Sequence, residues 1–412
     1  MQKPTTPKPT RSSFTLLRQL CNLIPNHLVP QLARATGVDA HARTFRPWSH
    51  VVSLLYAQLT HALSLNDVCD ALRLHAGPLS AIRAATPPSK NALSHANRQR
   101  DPLLAEQLFW AMLDHLQQLQ PGFGARRRPK FAFRFQRLIH VVDSTTIQLV
   151  ARCLDWAKHR RRKAAAKCHV RLNLQTFLPR FAIVDTAGEH DNHRAHELCA
   201  GVAAGEIVIF DKAYLDFAHL AALSIREVFW VTRAKDNLCC RVWRKLQSGR
   251  VGHILRDDLI QLRSGPSRKA YPVEMRRVVA LVEVDGEVRK MVFLTNNLTW
   301  SAQTIADLYR CRWSIEVFFK ELKQTLQLAD FLGHNARAVR WQVWTALLVY
   351  LLLRFCAFLS QWPHSFTRLF TLLRAALWQR LELRSLLDRY GTAGGGGRFL
   401  GTPEQAYLPG LI

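Results

Sequence analysis

No two cysteines in this 412-residue chain are spaced C-x-x-C, and the one close pair is the adjacent Cys239 and Cys240; its nine cysteines therefore point to neither a zinc site nor a disulfide framework. The polar, proline-rich start MQKPTTPKPTRSS has no apolar segment behind it, so no secretory signal is visible and a cytoplasmic protein is expected. Long apolar runs are missing too. The longest, Val343 to Leu353, is shorter than a bilayer span and is closed by Arg354, which reads as a buried core helix and not as a membrane segment. Internal repeats are not apparent. Acidic residues are scarce: 30 Asp plus Glu face 57 Lys plus Arg, a formal charge of +27 that makes a polyanion the default partner. Since 48% of the residues are hydrophobic, this charge belongs to a folded protein, long enough for about two or three domains.

What is present changes period along the chain. From Phe14 to Gln120 apolar residues recur at three and four spacings, which predicts an all-α domain over residues 1–125. Within it, TPPSKNALSHANRQRD places a proline break and Ser89 before a short predicted helix bearing Lys90, Arg98 and Arg100. Such a segment suits a DNA groove or backbone as well as it suits an ordinary solvated basic face. After a linker, PGFGARRRPK, the β-branched runs LIHVVDSTTIQLV, CHVRLNLQTFL and RFAIVDTAG predict three consecutive strands. A helix, the strand EIVIFD, a second helix and the strand EVFWVTRA follow, so residues 126–235 read β-β-β-α-β-α-β, a mixed α/β sheet with helices on its faces. Residues 236–299 are again strand-like, through RVWRKL, PVEMRRVVALVEV and RKMVFLTN, with DGE at 285–287 as a hairpin turn; this is a β-rich insertion. Helices resume over 300–340 and 341–412, and GTAGGGGR opens a loose tail.

Asp143 ends the run LIHVV and Asp211 ends IVIF, so each is delivered where a buried strand meets the sheet edge. Alone, each is more simply a turn-capping aspartate. Glu316 alone would be a solvated helix residue. Together, three carboxylates from two strands and a late helix can converge on divalent cations, which take hard oxygen ligands. Two such ions, Mg²⁺ or its substitute Mn²⁺, suit phosphodiester cleavage and transfer, because one activates a nucleophile while the other stabilises the departing oxygen. Around Glu316 runs an uncommon string. Tyr309, Arg312, Glu316 and Lys323 fall close to one face of a single predicted helix, beside an apolar stripe of Leu308, Ile315, Phe319, Leu322 and Leu326. Arg312 and Lys320, four residues to either side of Glu316, fit simple surface ion pairs as well as phosphate contacts. Trp313 suits either the core or a stack on an unpaired base. The run KHRRRKAAAK, with Arg160, Arg161 and Arg162, is a candidate for DNA backbone contact; His190, Asp191, His193 and His196 read as a polar loop or helix cap.

The string Y-x-x-R-x-x-x-E-x-x-x-x-x-x-K, here YRCRWSIEVFFKELKQTL, resembles the signature of DDE transposases of insertion-sequence family four. The likeness extends to VVDSTTIQL, IFDKAYLDF and FWVTRAKDN and spans most of the chain. It implies a ribonuclease H-like core interrupted by a β-rich insertion, flanked by an N-terminal helical domain and C-terminal helices. It also implies Asp143, Asp211 and Glu316 as a metal-binding triad, with Tyr309, Arg312, Trp313 and Lys323 on transposon-end DNA. Cut-and-paste transposition, a hairpin intermediate and a homodimer holding the two ends follow from the same resemblance. A ribonuclease H-like nuclease without strand transfer, or an inactive DNA-binding relative, stays open. The family pattern after the second aspartate often has Arg-Gly before Tyr; this chain has Lys212, Ala213 and Tyr214.

Overall fold

The structure, a computed structural model, describes residues 8–38, 42, 44–124, 137–149, 158–160, 163–186, 191–247, 249–284, 286–326, 328 and 331–390. Contacts divide the chain into two compact units, one spanning 1–125, 147–165 and 319–403, the other 126–146, 166–318 and 404–412.

The first unit is helical. It contains α1 (Leu16–Asn22), α2 (Leu28–Ala35), α3 (Pro47–Thr60), α4 (Leu65–Leu74), α5 (Ala76–Ser80), α6 (Lys90–Gln99) and α7 (Leu103–Leu119), as the period of the N-terminal sequence predicts. The basic segment folds as expected, because Ser89 accepts a hydrogen bond from the Ala92 amide and starts α6. Two later helices, numbered after those of the sheet, join this unit: α14 (Phe366–Ala375) and α15 (Leu383–Arg389). Between them and the sheet in the chain lies α13 (Ala336–Leu359), which packs on α3 and α7, with Trp344 against Trp110 and Phe355 against Phe123. By length and composition α13 could cross a membrane, yet its most apolar window is 83% buried inside the protein. The expected core helix is what the apolar run forms.

The second unit is built on a mixed sheet. Its strands are β1 (Ile139–Leu149), β3 (Lys163–Asn173), β4 (Leu178–Thr186), β5 (Ile207–Phe210) and β6 (Phe229–Arg233), followed by β7 (Cys240–Lys245), β8 (Ile254–Leu262), β9 (Met275–Val284) and β10 (Glu287–Thr295). A short β2 (Lys158–Arg160) pairs with the first residues of β3. The order runs β3-β1-β5-β6-β10-β9-β8-β7, with β4 on β3. β5 is parallel to both β1 and β6, while β10, β9, β8 and β7 continue the sheet antiparallel. The arrangement β4-β3-β1-β5-β6 is the ribonuclease H-like core, and the β-rich insertion extends its edge. The 285–287 turn closes the β9–β10 hairpin, where Gly286 has φ +79°, a left-handed conformation glycine adopts without strain; Asp285 lies outside the described residues.

Both faces of the sheet are covered. On one, Val142, Val208, Phe210, Trp230 and Leu294 form a core with α8 (Asp191–Cys199) and α9 (Phe217–Ile225). α10 (Gly265–Ala270) lies beside α9. The other is covered by α11 (Ala302–Arg310), where the Tyr309 ring meets Phe293 at 4.9 Å. Strand β8 is the element the sequence does not single out, because Arg256, Asp257 and Asp258 interrupt its apolar pattern. Those acids are paired across the ladder, Asp257 with Arg276 of β9 at 2.6 Å and Asp258 with Arg277 at 2.5 Å. The chain around Glu316 also departs from a single helix: a 3₁₀ turn (Cys311–Trp313) separates α11 from α12 (Ser314–Lys320), and a π turn (Glu321–Thr325) follows. The apolar stripe is nevertheless buried at Leu308, Ile315, Phe319, Leu322 and Leu326.

Buried histidines give this fold an acid limit. Among the described residues His219 on α9 has no hydrogen-bond partner at either ring nitrogen, and burial, followed by neighbouring His196, lowers its pKa from 6.5 to about 4. The unfolded chain takes up a proton below pH 6.5 that the folded protein refuses down to about pH 4, so stability is complete above 6.5 and falls through that window. His219→Phe is expected to flatten the decline of the melting temperature between these two values; an unchanged slope would assign the acid sensitivity to other groups.

Candidate active site

The register of β1 on β5 places the two aspartates. Val141 stands opposite Ile209 and Val142 opposite Phe210, so the next position on each strand is an aspartate, Asp143 beside Asp211. Side chains alternate along a strand, so both carboxylates leave the sheet on the face of Val141 and Ile209, away from the Val142–Phe210 core. Asp143 remains within β1. Asp211 directly follows β5 and caps a 3₁₀ turn (Lys212–Tyr214) by accepting from the Ala213 amide. Ala213 is not among the residues with positive φ, so this turn has no need of the glycine that the family often carries there.

Glu316 arrives from α12 with a half-exposed side chain. What joins it to the strands is Arg312: one terminal nitrogen donates to Asp143 Oδ2 at 2.6 Å and the other to Glu316 Oε1 at 3.1 Å. Tyr309, on the last turn of α11, donates its hydroxyl to Asp211 Oδ1 at 3.4 Å. The sequence gives Arg312 a surface pair with Glu316 and gives Tyr309 a phosphate; the fold turns both inward onto the strand acids. Only the three-dimensional register discloses this, and no spacing in the sequence signals it.

Electrostatics follow from burial. Asp143, with only 15% of its side chain exposed, is pushed up to about 6 by desolvation, against the pull of Arg312 and the Ser144 amide and with a further push from Asp211 and Glu316. Its sensitivity to both other acids places all three carboxylates in one electrostatic neighbourhood. Tyr309 is pushed up to about 12, mainly by burial, and so remains a proton donor.

The donor set suits Mg²⁺ or Mn²⁺: three carboxylates, all hard oxygen ligands. Among the described residues, however, no three His, Cys, Asp or Glu side chains stand close enough to share an ion as placed. Arg312 engages one oxygen of each of two acids, Asp143 Oδ2 and Glu316 Oε1, and the Ser144 amide donates to Asp143 Oδ1.

The remaining candidates lie on several elements. Trp313 is half-buried in the 3₁₀ turn, Lys320 is exposed at the end of α12, and Lys323 is half-buried in the π turn. Lys90 and Arg98 are exposed on α6. Arg100, just past it, donates to the Phe45 carbonyl and lies over the Phe45 ring, so its guanidinium serves the helical unit. Arg160 is the last residue of β2, while Arg161 and Arg162 lie outside the described residues. His190 is outside them as well, and His196 packs against His219 with ring centroids 4.3 Å apart.

A model of the transposase DDE domain matches residues 134–352, and one of a domain of unknown function (DUF4372) matches residues 12–82. Among curated proteins, one from Sinorhizobium fredii named as a transposase, y4zB, is 29% identical over 303 residues, 73% of this chain and 80% of that protein. A protein of Geobacillus stearothermophilus named as the transposase for insertion sequence element IS5377 is 30% identical over 55% of this chain and 59% of its own length. The transposase InsG for insertion sequence element IS4 of Escherichia coli is 26% identical over 45% of this chain and 42% of its own.

Proposed function

This chain belongs to the DDE transposase domain family, within the insertion-sequence family four group, and on that premise we propose that it binds the terminal inverted repeats of an insertion sequence, cleaves its ends and joins them to target DNA. The observation that supports the reading is the bridging of Asp143 and Glu316 by Arg312, beside Asp211 on the neighbouring strand, which accepts from Tyr309. In it, Asp143, Asp211 and Glu316 are the residues that would hold two divalent ions. Bound there, the ions would supply Lewis acidity to the attacking and departing oxygens of the phosphodiester.

The chain's own residues do the rest. Strands β1 and β5 fix two carboxylates side by side on the sheet, so the entropy of aligning them is spent in folding and not at the reaction step. Asp143 must be ionised to act. Arg312, Trp313, Lys320 and Lys323 are assigned to the DNA end, and Lys90, Arg98 and the 160–162 run to the flanking backbone, each by cation to phosphate except for Trp313, which stacks. The helical N-terminal domain (1–125) is assigned to DNA binding, and 126–235 with 300–340 to the catalytic core. Cutting and rejoining proceed through a hairpin in a homodimer that pairs two ends, in the cytoplasm and on nucleoid DNA.

The test is purified full-length protein with DNA carrying the element's end and Mg²⁺. Nicked, hairpin and joined products are expected on denaturing gels. Cleavage without joining would leave a nuclease. Lys323→Ala is expected to weaken end binding and to lower the slope of log affinity against log salt by about one. An unchanged slope would place Lys323 away from DNA.

A further inference from the structure

We propose that Arg312 is a built-in counter-cation of the active site, which holds the Asp143 and Glu316 carboxylates until a DNA phosphate draws it off, so that divalent-ion loading and DNA binding are coupled. The inference rests on the metal-triad reading and adds an order of events to it.

The geometry supplies the competition. The guanidinium reaches Asp143 at 2.6 Å and Glu316 at 3.1 Å, so it uses one oxygen of each acid. A small divalent cation needs first-sphere oxygens at roughly 2.0–2.1 Å, and one carboxylate oxygen does not serve a guanidinium and a dehydrated ion in the same direction at once. The two cations therefore exclude each other at these atoms. Mutual exclusion makes the occupancy of one a tax on the other.

Arg312 is largely buried, with 13% of its side chain exposed and its guanidinium 5.8 Å from the Tyr309 ring centroid, yet its polar partnering is incomplete. Among the described residues its Nε is buried without a hydrogen-bond partner, and its Glu316 contact is made to a side chain that is 55% exposed. A guanidinium presents five donors, and a phosphate accepts two of them in parallel, so a DNA backbone offers Arg312 a partner of comparable charge and better fork geometry. Its exit removes one positive charge from between two acids, which then repel each other until a cation returns. Loading of the ion and engagement of DNA thus favour one another, and by linkage each tightens the other by the same factor.

The test is a Mn²⁺ titration of the full-length chain, read from the electron paramagnetic resonance of free Mn²⁺, with and without a short duplex of arbitrary sequence at low ionic strength. Arg312→Gln is expected to tighten Mn²⁺ binding about tenfold in the absence of DNA, and to lose most of the further tightening that DNA gives the wild type. Arg312→Lys, which keeps the charge but not the fork, is expected to fall between them. A merely structural arginine gives the opposite sign, because its removal loosens the acids and weakens the metal. Unchanged or weaker Mn²⁺ binding by Arg312→Gln, with Asp143→Asn still abolishing it, overturns the counter-cation role and leaves the triad standing. Mn²⁺ binding indifferent to Asp143→Asn overturns both. Melting curves of each variant with and without Mn²⁺ separate a misfolded Arg312→Gln from an informative one, and Arg312→Lys then decides alone.

Discussion

Asp143→Asn, Asp211→Asn and Glu316→Gln are each expected to lower Mg²⁺-dependent cleavage of end DNA by roughly three orders of magnitude or more, with DNA binding kept or tightened. The amide has nearly the shape of the acid but lacks the charge that holds a divalent cation. Binding should not suffer, because affinity for DNA comes from cations meeting phosphates, and each substitution removes a negative charge that faces them. The combination is diagnostic: a misfolded variant loses both properties, whereas a ligand lost from an intact site costs only chemistry. Asp211 is the cleanest of the three, since it lies off the Arg312 bridge and its replacement leaves that ion pair in place.

The second large effect concerns stability. Asp257 on β8 receives two hydrogen bonds from Arg276 on β9, at 2.7 and 2.6 Å, with both side chains more than nine-tenths buried. Asp257→Ala leaves the Arg276 charge in the sheet without its counter-charge, with only the Trp300 carbonyl still accepting from it, and is expected to cost about 3–5 kcal/mol in urea unfolding. Asp257→Ala combined with Arg276→Met is expected to recover most of that loss, because an apolar pair of similar volume no longer carries a desolvated charge. If the double variant is as unstable as the single one, the pair contributes through shape and not through charge. Activity tracks this result only indirectly, as the pair is placed in the β-rich extension and not at the acids.

The same pair explains what in the sequence was hard to read. β-branched runs disclose β1, β3, β4, β5 and β6, and the helical period discloses α1, α3, α4, α7 and α13, since their burial is driven by apolar residues at regular spacing. β8 hides because its buried charges are satisfied only by residues some twenty positions later, a fact no local window contains. The stretch from Ala302 to Thr325 carries a helical pattern throughout, yet it bends through a 3₁₀ turn and a π turn. Its apolar stripe survives because burial constrains which residues face inward, and not how the backbone winds between them.

At the site the division is similar. Asp143 and Asp211 are legible as acids that close apolar runs, although Asp143 lies within β1, and the parallel register makes them neighbours. Glu316 is legible only through its company in the Y-R-E-K string. Arg312 and Tyr309 are legible as residues and not as partners: cations and hydroxyls beside a glutamate read as DNA contacts, whereas the fold brings them onto acids 169 and 98 positions away. Long-range polar contacts of this kind leave no periodic trace.

The most direct measurement of the metal-triad account is an exchange of one ligand for sulfur. In Asp211→Cys the hard carboxylate is replaced by a thiolate, which Mg²⁺ accepts poorly and Mn²⁺ accepts better. The account predicts that the variant binds end DNA, fails to cleave it in Mg²⁺, and regains cleavage in Mn²⁺, while Asp211→Ala stays inactive in both. Equal activity of Asp211→Cys and Asp211→Ala in the two metals, with folding and DNA binding intact, would contradict it.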